Sequence, residues 1–144
     1  MGFRVSQNET MLRIRMFTAP TLALVTIALL SSCVSQQEGF ADLDGAREAI
    51  DKLPQLEDYA YDVVDSSSSR YVGEHNGTSL WLAGGLDGYE VCLVAYATGD
   101  AWGVSCGGGT GMRSGGAAGS FEVVPNGGAA PAGATQVSEN VYAD

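Results

Sequence analysis

Lysine is nearly absent from this 144-residue chain, whose 7 basic residues (Lys plus Arg) face 17 acidic ones. Three arginines precede residue 16, so the part from Cys33 onward holds 4 basic and 16 acidic residues, a net charge of 4 − 16 = −12. Such a surface repels nucleic-acid phosphates and anionic lipid headgroups. The composition therefore argues against nucleic-acid binding, and it indicates that charge alone does not hold this chain at a membrane.

The sequence also lacks a hydrophobic run long enough to span a bilayer. Residues 17–30 form an apolar run of 14 residues, interrupted by three threonines and a proline. Crossing the hydrocarbon core takes ~20 predominantly apolar residues. Because Arg13 and Arg15 precede the run, it predicts the hydrophobic region of a signal peptide, with Met1, Met11 or Met16 as the start.

The apolar run ends in Leu30-Ser31-Ser32-Cys33, which resembles the lipobox of bacterial lipoproteins. That resemblance implies diacylglyceryl transfer to the Cys33 thiol and cleavage before it, which leaves the acylated cysteine as the new N-terminus. The alternative is an ordinary secretory signal with a chance cysteine.

This interpretation divides the chain into three parts. Residues 1–32 are predicted to be a lipoprotein signal peptide, 33–39 a lipid-anchored tether, and 40–144 a single extracytoplasmic domain. The residues after Cys33 can extend ~20 Å at ~3.4 Å per residue, so we expect the domain to sit close to the membrane face.

Lipidation of Cys33 leaves Cys92 and Cys106 as a pair. A three-residue loop at 98–100 places these two cysteines opposite each other in a hairpin, together with the pairs Val94 with Val104 and Tyr96 with Trp102. Directly opposed strand positions have Cα atoms ~4.5 to 5.5 Å apart, a separation that suits a disulfide. An exported chain should form this bridge. Closing a loop of about 15 residues with a disulfide raises the free energy of unfolding by ~3 kcal/mol.

Two further turn signals, Asn76-Gly77 and Asp87-Gly88, predict type I′ hairpins and hence a four-stranded meander. This register places Val72, Trp81, Val94 and Val104 in one row. The opposite face then carries Tyr71, Leu80, Leu82, Leu93 and Ala95. Because both faces are apolar, we expect both to be covered, and we expect the two tryptophans to be core residues rather than a stacking platform.

The apolar spacing of Leu43, Ala46, Ile50 and Leu53 predicts a short amphipathic helix over residues 43–53, capped by Asp42 or Asp44 and packed on one face of the sheet. The C-terminal segment, with a strand at 121–124 and a last, edge strand at 137–142, covers the other face. The expected fold class is α+β: an antiparallel meander of about four to six strands, one N-terminal helix and a cross-strand disulfide.

Few residues suggest chemistry. The sequence predicts an exposed His75 without catalytic partners, a loop at Ser66 to Ser69, and a flexible glycine-rich loop at 107–116 that lacks the lysine of a phosphate-binding loop. The acidic stretch from Asp42 to Asp51 fits a calcium loop poorly, since Phe40 stands at the first ligand position. We predict no catalytic residue, no metal ligand and no cofactor.

The residues 71–78, the Cys92 and Cys106 strands and the closing 137–141 stretch resemble small lipoproteins of high-G+C Gram-positive bacteria. This resemblance implies anchoring to the outer leaflet of the cell membrane. The expected function is a non-enzymatic interaction module that binds an envelope protein or cell-wall component. The alternatives are a small-ligand or divalent-cation-binding domain, whose melting temperature would respond to calcium or magnesium, and a hydrolase that depends on His75. Partner and oligomeric state stay open.

Overall fold

The computed structural model describes residues 39–144, all of which belong to one compact unit. The predicted signal peptide and most of the predicted tether, including Cys33, lie outside the described residues. The helices are three short 3-10 turns: Ala41–Leu43, Ala49–Asp51 and Asp58–Tyr61. The strands are β1 (Val64–His75), β2 (Thr78–Gly85), β3 (Val91–Thr98), β4 (Ala101–Gly107), β5 (Met112–Gly116), β6 (Gly119–Val123), β7 (Thr135–Gln136) and β8 (Val141–Ala143).

The helix predicted over residues 43–53 is wrong, because this segment forms two separate 3-10 turns. Gly45 interrupts it with φ +89°, and glycine costs about 1 kcal/mol within a helix. Tertiary contacts also use its backbone, since the Trp81 indole donates a hydrogen bond to the Ile50 carbonyl at 3.1 Å. Neither Asp42 nor Asp44 caps the first turn with its side chain.

The first sheet is antiparallel in the order β1-β2-β3-β4, as the three turn signals predict. Asn76-Gly77 and Asp87-Gly88 all have positive φ, the backbone that a type I′ turn requires. The predicted pairs across β3 and β4 are confirmed, with Cys92 opposite Cys106. The predicted three-residue loop is wrong, because Thr98 belongs to β3 and lies opposite Ala101 after a register shift. Trp81 lies opposite Val94, also as predicted.

Strand β1 departs from the predicted register at two places. The Ser66 to Ser69 stretch belongs to this strand, around an irregularity between Asp65 and Arg70, and is not a loop. A second irregularity places Tyr71, rather than Val72, opposite Trp81. The irregularity adds one residue to β1 next to Gly73, which has φ +136°. This extra residue shifts the alternation of side chains by one, so Tyr71 and Val72 each lie on the face opposite to the predicted one. Consequently Tyr71 contacts Trp81 edge-on at 5.3 Å between ring centroids, while Val72 packs against the main core.

The second sheet has the order β5-β6-β8-β7 and contains the glycine-rich run that was predicted to be a flexible loop. That run makes a tight turn, in which the Gly111 amide donates to the Gly108 carbonyl at 3.0 Å, and then enters β5. The predicted strand at 121–124 corresponds to β6. The last strand, β8, is shorter than predicted and lies inside the sheet, because β7 takes the edge position.

The main core lies between the two sheets and joins Leu80, Leu82 and Leu93 to Phe121 and Val141. A smaller cluster on the outer face of the first sheet contains Val64, Ala83 and Cys92, with Leu53 and Tyr61 packed against it. The second sheet therefore covers one face of the first, as predicted, while Leu53 and Tyr61 cover part of the other face in place of the predicted helix. The described fold is mostly antiparallel β, so the α+β expectation holds for its antiparallel pairing and its disulfide. It is wrong in its helix and in its four to six strands, because residues 39–144 form eight strands in two sheets.

The first described residues are held against the end of the second sheet by two buried or half-buried amides. The Asn126 side chain accepts a hydrogen bond from the Ala41 amide at 2.8 Å, and the Asn140 side chain accepts one from the Asp42 amide at 2.9 Å. Asn140 also donates to the Val124 carbonyl at 2.9 Å. Because buried amides are costly to leave unpaired, this network holds Ala41 and Asp42 against the second sheet.

Candidate functional site

An aromatic cleft opens on the outer face of the first sheet, next to the disulfide. It has a volume of about 340 Å³ and is lined by Tyr59, Ala60, Val63, Tyr89, Trp102, Val104 and Cys106. Three separate parts of the chain supply its rings: the 3-10 turn at Asp58–Tyr61, the loop between β2 and β3, and strand β4. Because strand side chains alternate between faces, Trp102 points to the same side as Val104 and Cys106, away from the main core.

The rings of the aromatic cleft are accessible to solvent. Tyr59 is 67% exposed and Tyr89 is 45% exposed, whereas Trp102 is half-buried. The Tyr59 and Trp102 ring centroids are 6.2 Å apart, with the ring planes inclined at 49°. Single exposed apolar residues are common on protein surfaces, but a contiguous exposed apolar patch marks an interaction site. Tyr59, Tyr89 and Trp102 line one concave surface and so form a contiguous patch, which marks an interaction site.

The disulfide forms one wall of the aromatic cleft. Cys92 and Cys106 are bonded, with Cα atoms 4.0 Å apart, so the predicted cross-strand bridge is confirmed. Cys92 is fully buried, and its sulfur lies 3.6 Å from the Val63 carbonyl oxygen. The bridge therefore ties β3 to β4 next to Val63, the residue that precedes β1.

Tyr61 anchors the 3-10 turn that presents Tyr59. Its hydroxyl donates a hydrogen bond to the Pro54 carbonyl at 2.7 Å, and its ring packs on the outer cluster. Burial raises the pKa of Tyr61 to about 12, so this hydroxyl keeps its proton at any physiological pH. The hydrogen bond holds residues 54–61 as a folded strap beside the aromatic cleft.

The buried carboxylate of Asp51 holds the segment that precedes the strap. It accepts hydrogen bonds from the Glu48 amide at 2.7 Å and from the Tyr71 amide at 2.8 Å, and so joins the 3-10 turn at Ala49–Asp51 to β1. Burial acts to raise the pKa of Asp51. The two amides, helped by the positive charges of Arg70 and Arg47, outweigh burial and leave this pKa below its usual value.

Acidic residues predominate in the sequence around the tyrosines of the aromatic cleft. Exposed carboxylates flank its tyrosines in the sequence: Glu57, Asp58 and Asp62 near Tyr59, and Asp87 and Glu90 near Tyr89. Of the four basic residues in the described part of the chain, none lines the cleft. Arg113 pairs with Glu122 at 2.7 Å on the second sheet, and Arg70 donates to the Gly45 carbonyl.

The remaining candidates from the sequence do not come together as a site. His75 is half-buried rather than exposed, with its Nε2 2.9 Å from the Asn76 side-chain nitrogen. The Asp42 carboxylate accepts hydrogen bonds from the Ser138 hydroxyl and the Asn140 amide. Within residues 39–144, no three His, Cys, Asp or Glu side chains are grouped so that they could hold a metal ion.

Sequence reasoning missed the aromatic cleft. Trp81 is buried, as predicted, but Trp102 is not a core residue. The register already placed Trp102 on the Cys106 face, and this was the available signal. Tyr59 lay in a segment whose pattern fits both helix and strand, so nothing in the sequence brought the two rings together.

Comparison with protein-family models, with curated proteins and with solved structures finds no match for this chain. In the part of the chain that the structure describes, no helix has the length and apolar character needed to cross a membrane. Any functional assignment therefore depends on the chain's own residues and geometry.

Proposed function

We propose that this protein is a lipid-anchored extracytoplasmic lipoprotein whose β domain binds a partner at the cell envelope without catalysing a reaction. The exposed aromatic cleft formed by Tyr59, Tyr89 and Trp102 carries the proposal. Aromatic side chains combine a large contact area with little conformational freedom, and for this reason they are enriched at protein interfaces.

The composition of the aromatic cleft supports binding rather than catalysis. Its lining contains no histidine, no carboxylate and no hydroxyl other than those of two tyrosines, and its cysteine is consumed in the disulfide. A hydrolytic site needs a positioned base and an activated nucleophile within hydrogen-bond reach. The residues that line the aromatic cleft therefore provide a surface for binding, and not the groups that hydrolysis requires.

Two features of the chain support the location. The Leu30-Ser31-Ser32-Cys33 stretch resembles a lipobox. The chain also has a disulfide between Cys92 and Cys106, and structural disulfides persist in oxidising compartments outside the cytoplasm. With Cys92 and Cys106 bonded to each other, Cys33 is the cysteine free to carry a lipid.

Site-specific cross-linking in intact cells tests this function. A photo-crosslinking amino acid replaces Tyr59 in one variant and Gln136, which is exposed on the edge strand β7, in the matched control. We expect one recurrent adduct from position 59 and none of that mass from position 136. The adduct should also disappear in a Cys33→Ala background, because the unanchored protein leaves the membrane. Identical adduct patterns from both positions, or a bare monomer from position 59, would contradict the proposal.

A further inference from the structure

The charge and geometry of the aromatic cleft indicate the chemistry of its partner. We propose that the cleft receives a lysine or arginine side chain from a basic protein segment, held beside the rings of Tyr59 and Trp102. This inference rests on the proposed function and specifies the partner class for the same surface.

The ring geometry suits a cation. A lysine or arginine head group is attracted to an aromatic face when it lies within ~6 Å of the ring centroid. The Tyr59 and Trp102 centroids are 6.2 Å apart, so one cation beside both rings can lie within ~6 Å of each centroid. The two ring planes are inclined at 49°, so the pair does not form one flat platform.

The charges near the aromatic cleft favour the same occupant. Exposed carboxylates stand within three positions of Tyr59 and within two of Tyr89 in the sequence, and no lysine or arginine lines the cleft. Carboxylates of one sign around a concave surface attract a basic segment and repel an acidic one. An anionic partner would gain no cation–π attraction from the rings, and the carboxylates would repel it.

The size of the cleft sets the scale of the contact. Its volume of about 340 Å³ is at the lower end of the ~300 to 1,000 Å³ typical of ligand pockets. The cleft thus accommodates one long side chain and its neighbours. The aliphatic stem of lysine or arginine can contact Val104 and the disulfide while its charged end faces the rings, as such side chains commonly do.

Binding of a fluorescein-labelled hexalysine peptide to the full-length protein in nonionic detergent tests the inference by fluorescence anisotropy. The main variant is Tyr59→Ala, since a ring that is 67% exposed can be removed without opening the core. The charge variant Asp58→Asn is matched by Glu139→Gln, which removes one exposed carboxylate far along the sequence. Thermal melting checks that each variant is folded.

We expect Tyr59→Ala to weaken hexalysine binding about threefold to fivefold, the factor that a cation–π contact at an exposed site provides. Asp58→Asn should weaken binding more than Glu139→Gln does. The effect of Tyr59→Ala should persist in high salt, because the ring contact is screened less than the separated charges. Hexaglutamate should not bind.

Three outcomes would overturn the inference. Equal affinity in wild type and Tyr59→Ala means that hexalysine binds the acidic surface without using the rings. No binding of hexalysine excludes a basic partner. Tyr59-dependent binding of a neutral N-acetylglucosamine oligomer in place of hexalysine identifies a glycan site instead. If the cross-link from position 59 still forms in these cases, only the inference fails; if it is lost as well, the proposed function fails too.

Discussion

At the residue scale, Asp51 shows how one buried charge organises the segment that precedes the strap. Its side chain joins Glu48 to Tyr71, and its own carbonyl accepts a hydrogen bond from the buried Ser69 hydroxyl at 2.6 Å. A buried carboxylate is tolerated only when it is well hydrogen-bonded, and removing it leaves its amide partners unpaired. Hydrogen bonds of Asp51 therefore hold this segment, whereas the apolar spacing predicted a helix packed on the sheet.

We predict that Asp51→Ala lowers the free energy of unfolding by about 2 to 3 kcal/mol, since hydrogen bonds to a charged group contribute ~1.5 to 3 kcal/mol. Asp44→Ala is the control, because Asp44 is exposed and should change stability by less than about 0.5 kcal/mol. Urea denaturation measures both. Equal midpoints for the two variants would show that the Asp51 contacts do not stabilise the fold.

Stability should also fall in acid through the same carboxylate. The folded-state pKa of Asp51 lies below its usual value, so the unfolded chain takes up the proton first as the pH falls. The stabilisation is thus fully present above the unfolded pKa of ~3.9 and is lost as the pH drops through the lower, folded value. Melting temperatures measured from about pH 5 to pH 3 should decline, and less steeply in Asp51→Asn. The decline will not vanish there, because Ser67 lowers the pKa of Asp65 as well.

At the element scale, the glycine-rich run is a structured turn that leads from the first sheet into the second. Gly111 has φ +87°, and a Cβ there would collide with the Val123 carbonyl oxygen, whereas a Cβ on Gly108 would meet open space. The residues of this run are therefore not equivalent, although the sequence presents them as one low-complexity stretch. Only some of its glycines are required for the backbone path.

We predict that Gly111→Ala destabilises the protein by more than about 2 kcal/mol, because both the backbone conformation and the contact with β6 forbid a side chain. Gly108→Ala, three residues away, should cost less than about 0.5 kcal/mol. Denaturation midpoints of the two variants provide the comparison. A flexible loop would tolerate both changes equally, and that result would contradict the structure.

The hairpins of the first sheet could be predicted because their turn residues specify their own geometry. Asn76-Gly77 and Asp87-Gly88 favour positive φ at both central positions, and a two-residue loop then fixes the register of the flanking strands. The irregularities in β1 leave no such signal. The exchange of Tyr71 and Val72 between faces depends on one extra residue accommodated by Gly73, which the alternating pattern does not reveal.

At the scale of the whole molecule, the two sheets share one core, while the aromatic cleft opens on the outer face of the first sheet. The disulfide lies on that outer face and not within the core between the sheets. Its role is therefore to fix the local arrangement of β3, β4 and the strap. Asn126 and Asn140 hold Ala41 and Asp42 near the start of this domain.

We predict that the intact mass of the membrane-extracted protein begins at Cys33 and includes a diacylglyceryl group. Alkylation should add two labels, and only after reduction, because Cys92 and Cys106 are bonded to each other. Reduction should also lower the free energy of unfolding by about 3 kcal/mol. A mass without lipid would remove the basis for the proposed membrane location, and labelling without reduction would contradict the disulfide.

The sequence by itself determined the features that depend on neighbouring residues: the type I′ turns, the register from β2 to β4, the pairing of Cys92 with Cys106, and the lack of a spanning hydrophobic run. Only the tertiary structure decided the features that depend on distant contacts. Asp51 and Trp81 hold a segment with a helical pattern as two 3-10 turns, and β7 takes the sheet edge from β8. The aromatic cleft belongs to the second group, because its rings come from three separate segments that meet only when the sheet and the strap pack together.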